Sequence, residues 1–150
     1  MISSILITKP LSMIKNDTSP IVLIGDDKDN RNIFQEGFNQ AGCKKKTLHF
    51  EHVGLLHKYL EQSRQDEYPS IVLLDLNIPV MNAGELLKKI KTNKQWNHIP
   101  LIVFSSPQYP QDRELSYELG VNCFIVKPGS YKEIIDVIGA IVLLWCLLSQ

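Results

Sequence analysis

One run of nine residues, Ile71 to Pro79, constrains the fold of this chain more than any other stretch. Its first four residues are apolar, Asp75 follows them directly, and Pro79 prevents the strand from continuing. A short apolar run bounded by turn residues predicts a β-strand that is buried on both faces. The carboxyl ends of such strands open on the crevice where α/β sheets bind ligands, so we expect Asp75 at the mouth of a site.

The same kind of apolar run recurs along the chain, and each run is followed by residues with helical spacing. Shorter or weaker versions lie at residues 21–24, 46–50, 101–104 and 123–126. Strands and helices therefore alternate five times, which predicts an α/β fold with a doubly wound, five-stranded parallel sheet and helices on both faces. We expect residues 20–150 to form this single domain, and residues 1–19 to be a loosely ordered leader.

Capping residues predict where two of the helices begin. Asn82 is followed three residues later by Glu85, which indicates the start of the helix after the central strand. Ser130 and Glu133 have the same spacing and indicate the start of the last helix.

Composition excludes several classes of protein. Sixteen basic and sixteen acidic residues cancel, so a binder of the nucleic-acid backbone is not indicated. The three cysteines contain no CxxC pair, so neither a zinc site nor a disulfide framework is predicted, and a reduced, cytoplasmic setting fits. The uncharged stretch at residues 137–148 is shorter than the roughly 20 residues that span a bilayer, so we expect no membrane partner.

Polar side chains follow four of the predicted strands. Asp26 and Asp27 follow the first strand, Asp75 the third, Ser105 the fourth and Lys127 the fifth. Because parallel strands end at the same edge of a sheet, these side chains are expected to converge on one crevice.

Three carboxylates in one crevice need a cation beside them. Each close pair repels by about 4 kcal/mol at an effective dielectric constant near 20, and Lys127 supplies only one positive charge. Magnesium, or manganese with the same preference for oxygen ligands, fits this set. A carboxylate such as Asp75 can also act as a nucleophile and form an aspartyl phosphate.

Four short motifs carry a resemblance to a known family. GDD ends at Asp27, LLDLNIP surrounds Asp75, FSS surrounds Ser105, and FIVKP surrounds Lys127. In this order and spacing they resemble the receiver domain of two-component response regulators over residues 20–148. The resemblance implies a flavodoxin-like sheet with strand order 2-1-3-4-5.

The resemblance also implies roles at the crevice. Asp75 matches the phosphoacceptor, and Lys127 matches the lysine that pairs with the phosphoryl group. Asp26 and Asp27 match the acidic pair that holds magnesium together with Asp75. Asn77 matches the position whose backbone carbonyl completes the metal shell.

Two further positions match the family's switch residues. Ser105 matches the hydroxyl that moves towards the phosphoryl group, and Phe124 matches the aromatic side chain that follows it. The resemblance implies a cis peptide bond between Lys127 and Pro128. It further implies a sensor histidine kinase or phosphotransfer protein as donor and a downstream protein as output partner. The chain would then be a phosphoacceptor rather than a turnover enzyme.

Three alternatives remain open. A phosphatase of the haloacid dehalogenase type also uses a strand-end aspartate, but Asn77 stands where its second, acid–base aspartate is required. A flavodoxin-like flavin protein needs a hydroxyl- and glycine-rich phosphate loop, whereas Asp26 and Asp27 would repel the flavin phosphate. The third alternative is a receiver that binds its partners without being phosphorylated.

The last predicted helix is apolar on nearly every side. A helix that covers one face of a sheet needs only an apolar stripe, so the remaining apolar surface requires another cover. We therefore expect self-association, in the form of a symmetric dimer through this C-terminal helix.

Overall fold

A computed structural model describes residues 19–148, so the expected leader lies outside the described residues except for Ser19. The strands form one parallel sheet in the order β2-β1-β3-β4-β5, which confirms the predicted architecture. Their bounds are β1 Ile21–Ile24, β2 Thr47–Phe50, β3 Ile71–Leu76, β4 Leu101–Ser105 and β5 Cys123–Val126.

Within the described residues, five α-helices cover the two faces of the sheet. They are α1 Lys28–Gln40, α2 Val53–Gln62, α3 Gly84–Thr92, α4 Asp112–Glu118 and α5 Tyr131–Leu148. Helices α1 and α5 share one apolar core with the sheet, and α2, α3 and α4 share the other. Successive residues of a strand point into opposite cores, so Val72 packs with one set and Leu73 with the other. Both cores exclude water, which is why the sequences of the fully buried strands β1, β3 and β4 begin with uninterrupted apolar runs.

Of the two predicted helix starts, one is present and the other is wrong. Glu133 donates its backbone N–H to Ser130 Oγ at 3.3 Å, which caps α5 as expected. Asn82 instead lies in a 3₁₀ turn, Val80–Ala83, and α3 begins only at Gly84 without a side-chain cap. The 3₁₀ turn includes Asn82, which the spacing had assigned to the cap, and Ala83, which it had assigned to the first residue of the helix.

The peptide bond between Lys127 and Pro128 is trans, so the expected cis bond is not found. The two isomers of an X–Pro bond differ by only about 0.5–1 kcal/mol, and sequence therefore decides little here.

Helices α1 and α5 approach each other closely at a glycine. A Cβ atom on Gly37 would lie 2.6 Å from Cγ2 of Ile138, whose side chain is fully buried. A Cβ atom on Gly139 would lie 3.3 Å from the Gly37 carbonyl oxygen. The contact between α1 and α5 therefore depends on the missing side chain of Gly37.

Helix α5 is only partly covered by this packing. Ile138 and Val142 are fully buried, whereas Leu144 is 40% exposed. No helix within residues 19–148 combines the length and the apolar character needed to cross a bilayer.

Candidate functional site

Asp75 lies near the end of the central strand and is almost fully buried, with 4% of its surface exposed. Strand β3 is paired with β1 on one side and β4 on the other, so Asp75 cannot shift without disturbing two ladders. Lys127 reaches it from the end of β5, and its Nζ forms an ion pair with Asp75 Oδ1. The ammonium group offsets the charge of the buried carboxylate.

Lys127 is fixed by two further contacts. Its backbone N–H donates to the Ser105 carbonyl oxygen at 2.9 Å, which extends the pairing of β4 with β5 by one residue. Its Nζ also donates to the side-chain Oδ1 of Asn77 at 3.0 Å. The ammonium group is thus held between Asp75 and the loop that follows β3.

Asn30 is a site residue that sequence reasoning missed. Its Nδ2 donates to Asp75 Oδ2 at 2.8 Å, so each carboxylate oxygen of Asp75 has a nitrogen beside it. Asn30 lies in the first turn of α1, four residues after Asp26. An asparagine in a helical turn is common, and only the packing of α1 against the end of β3 reveals its partner.

Gly25 brings the end of β1 close to the same carboxylate. A Cβ atom at Gly25 would lie 3.3 Å from both the Cβ and the carbonyl oxygen of Asp75. This is a tight contact, so a side chain at position 25 would require Asp75 or the turn after β1 to shift by a few tenths of an ångström.

The acidic pair after β1 is only partly directed at the crevice. Asp26 is exposed and lines a cavity of about 260 Å³ together with Asp75 and Asn77. Asp27 caps α1, with its Oδ1 accepting from the backbone N–H of Asp29 at 2.9 Å. Among the described residues, the acidic side chains do not already form a metal-binding cluster.

The donor atoms around this cavity nevertheless have the chemistry of a magnesium site. They are carboxylate and carbonyl oxygens, which hard divalent cations prefer. The backbone carbonyl of Asn77 accepts from the Tyr109 hydroxyl at 3.3 Å. A carbonyl oxygen has two lone pairs, so this contact leaves one available for a cation.

Ser105 is fully buried, and its hydroxyl contacts two acceptors on the side of α4. Its Oγ lies 3.3 Å from the Ser106 carbonyl oxygen and 3.4 Å from Asp112 Oδ2. Both distances are long for O–H···O hydrogen bonds, so the hydroxyl is weakly held. A weakly held hydroxyl can exchange partners at low cost.

Asp112 is a buried carboxylate that the sequence did not indicate as part of the site. Only 2% of its surface is exposed, and Oδ2 accepts from the backbone N–H of Val80 at 3.1 Å. Since the same oxygen contacts Ser105 Oγ, Asp112 connects the loops after β3 and β4. Because an acidic residue at the start of a helix is usually exposed, the sequence did not indicate that Asp112 is buried and joins these two loops.

Phe124 is buried in the core beneath α4. The guanidinium carbon of Arg113 lies 5.3 Å from its ring centroid, within the range of a cation–π contact. Its backbone N–H donates to the Tyr117 hydroxyl at 3.2 Å. Helix α4 therefore contacts both predicted switch residues, Ser105 through Asp112 and Phe124 through Arg113.

The sequence of this chain matches a known protein family. The family model described as the response regulator receiver domain matches residues 21–139, which include the whole sheet. The chain belongs to this family. Receivers are the phosphoryl-accepting components of two-component signalling, and nothing in the matches favours the phosphatase or flavin alternatives.

Individual relatives agree with this assignment. Response regulator Rcp1 of Synechocystis is 29% identical over 135 residues, which cover 87% of this receiver and 90% of Rcp1. A solved structure of the Mn²⁺-bound form of Rcp1 superposes with a TM-score of 0.72 at 27% identity, covering 85% of this receiver and 94% of that chain. The phosphorylated cyanobacterial phytochrome response regulator RcpA superposes with a TM-score of 0.75 at 26% identity, covering 88% and 96%.

A match to a larger protein is confined to a segment. A probable cyclic di-GMP phosphodiesterase of Vibrio cholerae is 38% identical over 65 residues, 43% of this receiver and only 15% of that protein.

Proposed function

We propose that this receiver is a phosphorylation-dependent switch that accepts a phosphoryl group on Asp75 from a sensor histidine kinase or a phosphotransfer protein. The observation that carries the proposal is the buried carboxylate of Asp75 at the mouth of the crevice, ion-paired with Lys127. Phosphoryl transfer to a carboxylate oxygen depends mainly on positioning and charge neutralisation rather than on a general base.

The transfer exchanges one bond to phosphorus for another. A carboxylate oxygen of Asp75 forms the new bond while the bond from phosphorus to the donor histidine nitrogen breaks, and that nitrogen keeps the electron pair. Lys127 now faces Asp75 Oδ1 and Asn77 Oδ1, so its ammonium group is in place to pair with the incoming phosphoryl oxygens.

The proposed site would also bind a divalent cation. Asp26, Asp27, Asp75 and the backbone carbonyl of Asn77 would hold Mg²⁺ or Mn²⁺, and Asp27 would leave its capping contact to take part. When bound, the ion neutralises charge on the phosphoryl oxygens. The Mn²⁺-bound structure of Rcp1 supports this choice of metal.

The response to phosphorylation would begin at Ser105. Its hydroxyl would leave the long contacts with Ser106 and Asp112 and donate to a phosphoryl oxygen. Asp112 would then lose one of the two partners that join the loops after β3 and β4, and α4 would carry the change to Phe124. Phosphorylation would thus be a local change of charge that shifts the surface of α4, β5 and α5 from one conformation to another.

The proposal includes a downstream protein partner and a cytoplasmic location. Output would pass through a protein that reads the surface of α4, β5 and α5, and the receiver would not turn over a substrate. A cytoplasmic setting is supported by the thiol of Cys123, which forms no disulfide within the described residues. Burial raises the pKa of the Cys123 thiol, which disfavours its reactive thiolate form.

The direct test uses acetyl phosphate as a small phosphodonor. Incubation with Mg²⁺ is expected to add one phosphoryl group, seen as a shift in intact mass, and peptide mapping is expected to place it on Asp75. Chelation of the metal should prevent the shift. No adduct with Mg²⁺ present would refute the proposal, and continuous phosphate release from many monoesters would favour the phosphatase.

We also propose a symmetric dimer through α5, which is supported by the 40% exposure of the apolar side chain of Leu144 in the uncharged part of this helix, residues 137–148. Sedimentation at high protein concentration is expected to show a dimer, and Leu144→Lys is expected to shift it towards monomer. A wild-type monomer both with and without beryllofluoride would contradict the dimer. The exposed substitution Gln62→Lys adds the same single charge on α2, at the other face of the sheet, and serves as the control.

A further inference from the structure

The amide of Asn30 contacts the carboxylate that the proposed function makes reactive. Its Nδ2 lies 2.8 Å from Asp75 Oδ2, an ordinary distance for a strong hydrogen bond. Asp75 is almost fully buried, so water does not readily replace the amide. Lys127 contacts the other oxygen, Oδ1, and the two contacts are therefore separate.

Phosphorylation changes what the amide of Asn30 faces. In free Asp75 one negative charge is shared by both oxygens. In the aspartyl phosphate one oxygen bridges to phosphorus and the other becomes a neutral carbonyl. Hydrogen bonds to an ionised acceptor are about twice as strong as bonds to a neutral one, so Asn30 stabilises the free carboxylate more than the phosphorylated side chain. This holds whichever oxygen receives the phosphoryl group.

We infer that Asn30 shortens the lifetime of the aspartyl phosphate by stabilising the Asp75 carboxylate that hydrolysis releases. The inference rests on the proposed function. In hydrolysis the oxygen of water bonds to phosphorus, the bond from phosphorus to the Asp75 oxygen breaks, and the electron pair stays on Asp75. The released proton passes to the phosphate or the solvent. Charge thus grows on the carboxylate in the transition state, where a fixed donor is most effective.

The position of Asn30 is determined by the backbone around it. Helix α1 begins at Lys28, with Asp27 as its cap, so Asn30 lies within the first turn. Strand β1 pairs directly with β3, and the missing side chain of Gly25 lets the turn after β1 approach Asp75. Because Asn30 lies at the start of α1, directly after a strand that is paired with β3, this donor needs little reorganisation during the reaction, which is what electrostatic stabilisation requires.

The test compares dephosphorylation rates of variants after removal of the phosphodonor, at saturating Mg²⁺. Asn30→Leu keeps the shape of the side chain and removes the donor. Loss of the differential hydrogen bond is expected to lengthen the half-life of the phosphorylated form about five- to tenfold. Asn30→Gln keeps an amide and should lie closer to the wild type. Asn32→Leu, the same change at an exposed position of the same helix, should leave the half-life unchanged.

Uptake of the phosphoryl group tests the proposed function, and the half-life of the phosphorylated form tests the role of Asn30. If wild-type receiver accepts the phosphoryl group but Asn30→Leu has the wild-type half-life, the inference is overturned and the proposed function stands. A longer half-life that disappears as Mg²⁺ approaches saturation would also overturn it, because Asn30 would then act on metal affinity. If the wild type takes up no phosphoryl group, both fail. Thermal unfolding measures the stability of each variant. If Asn30→Leu is less stable than the wild type because leucine disturbs the packing, Asn30→Ala is used in its place.

Discussion

Asp75→Asn is expected to abolish phosphoryl transfer while leaving the fold intact. The amide nitrogen that replaces one carboxylate oxygen is a poor nucleophile, and the remaining oxygen carries no full charge. Removal of a nucleophile commonly costs many orders of magnitude, so we expect the initial rate of adduct formation with acetyl phosphate to fall at least about a thousandfold. Intact mass followed over time measures this rate.

The control for this variant is Asp136→Asn, which makes the same chemical change at an exposed position of α5. It should react at the wild-type rate. Far-ultraviolet circular dichroism should show wild-type helix content in both variants, since the side chains keep their size. Undiminished adduct formation in Asp75→Asn, mapped to Asp26 or another carboxylate, would move the phosphoacceptor away from β3 and refute the assignment.

Gly37→Val is expected to lower the free energy of unfolding by about 3 kcal/mol. Even its Cβ atom would lie 2.6 Å from Ile138 Cγ2 and 2.8 Å from Ile138 Cβ, and the two γ-methyl groups add further volume. Ile138 is fully buried and cannot turn away into solvent. The overlap therefore has to be relieved by moving α5 away from α1, which exposes part of their shared core.

Urea unfolding followed by circular dichroism measures the effect of Gly37→Val. The neighbouring substitution Glu36→Val adds the same β-branched residue to the same helix at an exposed position. It should change the free energy of unfolding by no more than about 0.5 kcal/mol. Equal stabilities of the two variants would show that α1 and α5 have room to adapt at this contact.

The sequence was sufficient to predict the fold, because the evidence for it is local. Except for the weaker β2, each strand contains a short apolar run followed by a turn, and the parallel arrangement follows from the alternation of strands with helices. The positions of Asp75 and Lys127 follow from the same reasoning, since both lie at strand ends. The ion pair between them is a consequence of the order in which β3, β4 and β5 pair.

What the sequence could not predict depends on side-chain direction and helix packing. Asn30 and Asp112 both lie in the first turn of a helix, where either residue type is ordinary on an exposed surface. Their partners are set by how α1 and α4 pack against the sheet, which no short pattern encodes. The capping role of Asp27 was missed for a related reason, because a carboxylate before a helix can bind a cation or the helix itself.

The side chains of the proposed site come from distant parts of the chain, so the site exists only in the folded receiver. Asp26, Asp75 and Lys127 come together only when β1, β3, β4 and β5 have all paired in register. A partly folded receiver would carry the same side chains without the crevice in which Asp75 is proposed to react. Phosphorylation would thus be restricted to molecules that have completed the sheet, so that a signal is passed only by receivers able to act on it.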